Sequence, residues 1–233
     1  MRTLPDLLLI SGQLCNSALW KDIVPAISAV ARVHIAKQYA CDSIKIIANN
    51  ILEHAPDTFS LCAHAMGGFI AFEILRTAPQ RVVRLALLDT LATPDYPQQI
   101  ARRLAYTKLI EQGNFLDVVQ TRLPILLHPD RVSETVLVNT IVDMARDTGE
   151  KNFATQQQAI MGRVDSRPNL ADILCNTLVL AGDADGIVPL ERTRELVGGI
   201  PRSRLVLIEQ CGHLTPLEKP VAVSQALLDW MQD

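Results

Sequence analysis

The segment Phe59-Ser60-Leu61-Cys62-Ala63-His64-Ala65-Met66-Gly67-Gly68-Phe69 runs an apolar strand (59–63) through a small-x-Ser-x-Gly-type turn into an apolar helix (67–78). In a nucleophile elbow, this strand–turn–helix unit lifts the residue at its tip onto a sharp, strained backbone facing substrate. The tip here is Ala65, which has no hydroxyl, thiol or carboxylate. The surroundings are those of a reactive site, but the reacting atom is absent. Gly67 and Gly68 fit the same picture, because they let the helix approach the sheet closely.

Outward from this turn, strand and helix alternate. Residues 7–10 form a short apolar strand ending at Ser11-Gly12. Residues 18–30 carry Leu19, Ile23, Ile27 and Val30 at helical spacing, and 32–36 are β-branched and strand-like. Asp42-Ser43 signals the N-cap of a helix running to about residue 53. Residues 82–88 are apolar except for Arg84, as in a strand buried on both faces. From Pro94 to Pro168 the periodicity is helical only, with helices expected at 98–112, 115–121, 133–147 and 152–161. Alternation then resumes with strands at 177–181 and 205–208 and helices at 190–197 and 221–231. The pattern predicts an α/β protein with a mainly parallel sheet flanked by helices. Its core would be 1–93 and 169–233, and residues 94–168 would form a helical cap, or lid.

Bulk properties narrow the function classes. A chain of 233 residues with 48% hydrophobic content suits one α/β domain with a large core. The net charge of −3 and the lack of a long basic block argue against nucleic acid as a partner. Apolar runs such as 7–10 fall far short of the roughly 18 residues needed to span a bilayer. The N-terminus, with a single Arg2, lacks the apolar core and cleavage site of a signal peptide. The five scattered cysteines (Cys15, Cys41, Cys62, Cys175, Cys211) read as reduced thiols of a cytoplasmic protein. No histidine pair has metal-ligand spacing, so neither metal nor other cofactor is expected.

In open parallel sheets, chemistry gathers at the carboxyl ends of the strands. Three strand ends carry matching residues: Ala65, then Asp185 within Gly182-Asp183-Ala184-Asp185-Gly186-Ile187-Val188-Pro189, then His213 within Gln210-Cys211-Gly212-His213-Leu214. The chain order is nucleophile position, acid, base. Across its whole length the sequence resembles the compact bacterial α/β-hydrolases, which include carboxylesterases, biotin-pathway methyl-ester esterases and enol-lactonases. Their elbow usually reads Gly-His-Ser-Met-Gly-Gly, where this chain has Ala63-His64-Ala65-Met66-Gly67-Gly68. Their acid motif is present at Gly182, Asp185 and Pro189, and their Gly-His base motif at Gly212-His213.

The resemblance implies an α/β-hydrolase fold and Ser-His-Asp chemistry. A hydroxyl nucleophile needs an imidazole to take its proton, and a carboxylate to fix the imidazole tautomer. The oxyanion needs preorganised N–H donors, each worth roughly 3–4 kcal/mol. By motif position these are Met66 and Gln13, with Leu14 the neighbouring alternative, although Ser11-Gly12 replaces the family's frequent His-Gly.

Other titratable residues have plainer readings. Asp89 is a rival acid at the end of its strand, with a structural hydrogen-bonding role expected instead. His64 should support the turn, His34 and His54 should be structural, and His128 should cap a loop. Cys62 and Cys211 should be packed. Leu14, Leu91, Ile187 and Leu214 should line a mostly apolar, substrate-binding pocket. Cap residues Ile100, Leu104, Phe115, Leu116, Val119, Leu126, Met144 and Met161 are expected to face inward. Arg102, Arg103, Arg122, Arg146 and Arg163 form either a solvated face or a receiver for an acidic substrate or carrier protein.

The reading is a serine hydrolase cleaving a small carboxylic ester, thioester or lactone, free or carrier-bound, through an acyl-enzyme. As written it would be an inactive Ser-to-Ala form at position 65. The alternatives are carbon–carbon hydrolysis or elimination on the same triad, or a natural non-catalytic ligand-binding relative.

Overall fold

Six described strands, all parallel, make one sheet in the order β2-β1-β3-β4-β5-β6. The computed structural model describes residues 4–37 and 40–232, so Arg2 of the N-terminal reading lies outside the described residues. The strands are β1 (Asp6–Ile10), β2 (Arg32–Ile35), β3 (Phe59–His64), β4 (Val82–Leu88), β5 (Asn176–Gly182) and β6 (Ser203–Ile208). The α-helices are α1 (Val24–Ile27), α2 (Ile44–Leu52), α3 (Met66–Thr77), α4 (Pro97–Glu111), α5 (Phe115–Leu126), α6 (Thr135–Met161), α7 (Leu190–Gly199), α8 (Thr215–Glu218) and α9 (Pro220–Gln232).

The two-residue repeat of a strand sends alternate side chains to opposite faces. Leu7 and Leu9 accordingly join one core with Cys62, Leu178, Trp20 and Trp230. Leu8 and Ile10 join another with Leu61, Leu85, Ile70 and Ile51. Both faces are covered, which is why the strands read as continuous apolar runs rather than alternating ones. Ser43 caps α2 by accepting from the Ile46 N–H at 3.4 Å.

The helix expected over 18–30 is broken. It becomes a 3-10 turn at Ser17–Trp20 and the short α1, with Pro25, which lacks an N–H, in the first turn of α1. The helices α4, α5 and α6 fill the chain between β4 and β5, with no strand among the described residues there. The helix expected to stop at residue 121 continues through Pro124 to Leu126. The helices expected at 133–147 and 152–161 are the two arms of α6, which bends at Gly149 (φ 78°, ψ 160°). β1 and β3 are neighbours from which the chain diverges, so a crevice opens outside their carboxyl ends.

Candidate active site

The turn after β3 places Ala65 at φ 51°, ψ −114°, a left-handed backbone that costs a residue with a Cβ roughly 1–2 kcal/mol relative to glycine. It is held from several sides. The Ala65 N–H donates to Leu88 O at 2.9 Å, and its carbonyl accepts from Gly68 N (2.9 Å) and Thr90 Oγ1 (2.8 Å). A Cβ on Gly67 would stand 2.5 Å from Ile10 O, and one on Gly68 2.2 Å from Thr90 Oγ1. Only glycines allow α3 to start this close to β1 and β4. Leu14, Asp89 and Gln210 also have positive φ, so all four such non-glycine residues described here follow strand ends on the same edge. Backbone strain of this kind gathers where a site must be held in one shape.

On the same edge, His213 Nδ1 lies 2.8 Å from Asp185 Oδ2. Asp185 Oδ1 in turn accepts from the N–H groups of Ile187 (2.7 Å) and Val188 (2.9 Å). Burial alone would pull the buried His213 imidazole down, but the Asp185 carboxylate beside it prevails, and its pKa is raised. With Nδ1 engaged, Nε2 is the ring nitrogen left for the cavity that His213 lines. The His213 loop is fixed from below, because His213 N–H donates to Leu126 O at 2.8 Å. Glu218 Oε1 accepts from Gly212 N and its Oε2 from His128 N, both at 2.9 Å.

Asp89 serves a different set of groups. It accepts from Thr215 Oγ1 at 2.6 Å and Gly182 N at 3.2 Å, and lies 3.5 Å from His64 Nε2. Burial pushes its carboxyl up, partly offset by His64. His64 Nε2 also lies 2.9 Å from the His213 carbonyl, so His64 ties the elbow to the His213 loop. His34 (2.6 Å to Asp6), His54 (3.1 Å to the Asn50 carbonyl) and His128 (accepting from Asp130 N) make local contacts away from Ala65. Cys62 and Cys211 are fully buried, and burial raises both thiols far above the range of a reactive thiolate.

Ala65, Met66, Gln13, His213 and all of Leu14, Leu91, Ile187 and Leu214 line one cavity of about 90 Å³ beneath α4–α6. The Met66 N–H begins α3, where helix geometry supplies no intrahelical acceptor. Of the two candidate donors after β1, the Leu14 N–H is already used, donating to Gln156 Oε1 at 3.1 Å. Gln13 is set by its side chain, with Nε2 on Gln157 Oε1 (3.1 Å) and Oε1 on Arg122 Nη2 (3.2 Å). Gln156 and Gln157 are nearly fully buried. The sequence carried no sign of them, because three successive glutamines in a helix read as a solvated face. Glu218, within a motif-free stretch, was equally silent.

The inward expectation for the cap is corrected in part. Phe115, Val119, Leu126 and Met144 are buried, and Ile100 and Met161 are half-buried, whereas Leu104 (54% exposed) and Leu116 (38%) face outward. Helical spacing does not say which side of a short amphipathic helix faces the sheet. The arginines also divide. Arg146 pairs with Asp143 at the surface, while Arg103 and Arg163 converge on Asp95 at 2.5 and 2.8 Å. Arg102 and Arg122 line the cavity. Among the described residues no cluster of metal-ligating side chains occurs, and no helix is long and apolar enough to cross a membrane.

Comparison with known proteins agrees with this architecture. The pimeloyl-[acyl-carrier protein] methyl ester esterase of Nitrosomonas europaea is 26% identical, over 93% of this chain and 91% of its own. The malate-bound thermophilic esterase of Thermogutta terrifontis superposes with a TM-score of 0.88 at 25% identity, covering 99% of this chain and 90% of that one. The enol-lactonase of Burkholderia xenovorans LB400 shares the fold, with a TM-score of 0.89 at 20% identity over 100% and 93% of the two chains. The family described as alpha/beta hydrolase fold matches residues 31–220, and with its parallel sheet, elbow and helical insertion the chain belongs to that family.

Proposed function

We propose that this chain is a carboxylic-ester hydrolase scaffold for a small ester, thioester or lactone, with Ala65 at the nucleophile position. In this form it binds such a ligand without turning it over. The observation that carries the reading is that His213, paired with Asp185 at 2.8 Å, lines the same cavity as the strained elbow tip. Asp185 is the acid and His213 the base, and the N–H groups of Met66 and Gln13 receive the oxyanion. Leu14, Leu91, Ile187 and Leu214 contact the apolar part of the ligand, and residues 94–168 act as its lid. The esterase names of the relatives at 25–26% identity support ester chemistry, with a free or carrier-bound acyl group. The unpaired cysteines fit a reducing, cytoplasmic setting.

With a hydroxyl at position 65, the mechanism is acyl transfer. The oxygen attacks the ester carbonyl while its proton passes to His213 Nε2, and the tetrahedral oxyanion is held by the two backbone N–H groups. Collapse expels the alcohol, which takes the proton from His213, and water then releases the acid by the same steps. Alanine supports none of the covalent steps, yet it leaves the cavity, the donors and the charged pair in place.

The test is Ala65→Ser. Hydrolysis of short-chain aryl esters and a mass increase with an organophosphate are expected, and adding His213→Ala should abolish the labelling. Selective turnover of a diketone or enolpyruvyl compound would move the chemistry to carbon–carbon cleavage or elimination. A second reading, a natural ligand-binding relative, is favoured by Ala65 itself. It prevails if the substituted protein neither labels nor hydrolyses any of a broad ester panel.

A further inference from the structure

Four guanidiniums, those of Arg102, Arg103, Arg122 and Arg163, line the cavity, and its carboxylates do not balance them. Arg103 and Arg163 share Asp95. Arg122 is different. It gives Nη2 to the neutral Gln13 Oε1 at 3.2 Å and lies 5.4 Å from the centroid of the Phe153 ring. Among the described residues no carboxylate pairs with it. The ionisable groups that act on it most strongly are Tyr106, Arg103, Cys15 and Arg102, with no Asp or Glu among them. Burial pushes its pKa down to about 10, which leaves it charged at neutral pH. Arg122 is half-buried, and a partly desolvated charge without a counter-ion is costly, so a fold that keeps one in a ligand cavity gains from it when the ligand brings the opposite charge.

The position of this charge matters as much as its sign. Gln13 links Arg122 to the loop after β1, and the backbone of the same residue is the proposed oxyanion donor. An anion on Arg122 therefore sits about one side chain from the reacting carbonyl. A guanidinium presents a planar fork that matches a carboxylate in two parallel hydrogen bonds.

We propose that Arg122 anchors a carboxylate carried by the ligand, so that the cavity selects anionic esters, namely half-esters or carboxylated lactones of short dicarboxylic acids. This deepens the ester-site reading and rests on it only for the placement of the reacting carbonyl.

The test uses the unsubstituted chain and needs no turnover. Monomethyl succinate and dimethyl succinate are titrated calorimetrically at pH 7.5 and low salt. The half-ester should bind at least about tenfold tighter, the scale of one charge-assisted pair. Arg122→Met should bring the ratio to within about twofold, and Arg122→Lys should keep more of it. Arg146→Met, on the exposed face of the same insertion, should keep all of it. Equal binding of the two esters, no measurable binding of either, or a preference that survives Arg122→Met would each overturn the proposal. Should the methionine variant fail to fold, the ratio in the unsubstituted chain and in Arg122→Lys still decides. Failure of Ala65→Ser to hydrolyse esters would leave an Arg122-dependent preference standing. Hydrolysis of neutral esters with no anion preference would overturn this proposal alone.

Discussion

Replacing Asp185 by asparagine tests the site at the level of a single proton. The carboxylate is held in one orientation, because Oδ1 accepts two backbone N–H groups, from Ile187 at 2.7 Å and Val188 at 2.9 Å. An amide in its place must keep its oxygen there. Its NH2 then points at His213 Nδ1, 2.8 Å away in the parent, and can only donate to it. The imidazole proton is driven to Nε2, the nitrogen that should accept the nucleophile's proton. Flipping the amide would restore the tautomer but leave two donors facing an NH2, at about 1–3 kcal/mol each. The productive tautomer is thus disfavoured by roughly 2–6 kcal/mol, before counting the lost stabilisation of the imidazolium. In the Ala65→Ser background, kcat should fall about a thousand- to ten-thousandfold with KM nearly unchanged. The tautomer itself can be read in the unsubstituted Ala65 chain from the ¹⁵N shifts of the His213 ring. Nδ1–H should dominate in the parent and Nε2–H in Asp185→Asn. A variant that still shows Nδ1–H, or that retains turnover within about tenfold, would refute this account of the pair.

Two further outcomes follow from the same geometry. His213 should titrate above the usual 6.5 because the Asp185 carboxylate outweighs burial, and in Asp185→Asn, where burial remains, it should titrate below that value. With the folded pKa raised, this pair's contribution to stability is full below pH 6.5 and is lost as pH rises through the folded value. NMR titration and thermal melts across pH 5–9 should both show this, and the variant should lose that slope. Gly67→Ala should destabilise by about 1–3 kcal/mol, since its Cβ meets Ile10 O at 2.5 Å. Gly198→Ala, in α7 with nothing within 4 Å, should stabilise by about 0.5–1 kcal/mol, and the two melting shifts should have opposite signs.

What was legible in the sequence was whatever short-range chemistry dictates. Apolar strands ending in Ala65, Asp185 and His213 were visible because residue type, glycine placement and strand ends lie together in the chain. The preference for Asp185 over Asp89 as the partner of His213 came from motif position, and in the fold Asp89 instead serves Thr215, Gly182 and His64. Motif position also favoured Gln13 over Leu14, but the physical reason was out of reach of the chain. Gln156, a residue 142 positions away, accepts from the Leu14 N–H through its side chain. The faces of the insertion's helices were only half readable, since Leu104 and Leu116 obey helical spacing yet point to solvent. The special standing of Arg122 was hidden for the same reason. Five cap arginines look alike until Asp95 and Asp143 are seen to pair with three of them.

The insertion leaves and re-enters the core at adjacent strands, and its two ends are fastened to each other. Arg163 Nη1 meets Asp95 Oδ1 at 2.8 Å, Arg163 Nε donates to Thr93 O at 3.0 Å, and Ser166 N donates to Ala92 O at 2.9 Å. β4 and β5 pair directly, so nothing between these ends is needed to set their register. The sheet therefore sees the insertion as a closed ring, and lengthening such a ring costs only about 0.6 kcal/mol per doubling. What lies between the fastened ends can therefore change in length and sequence while the turns carrying Ala65, Asp185 and His213 at the strand ends keep their geometry.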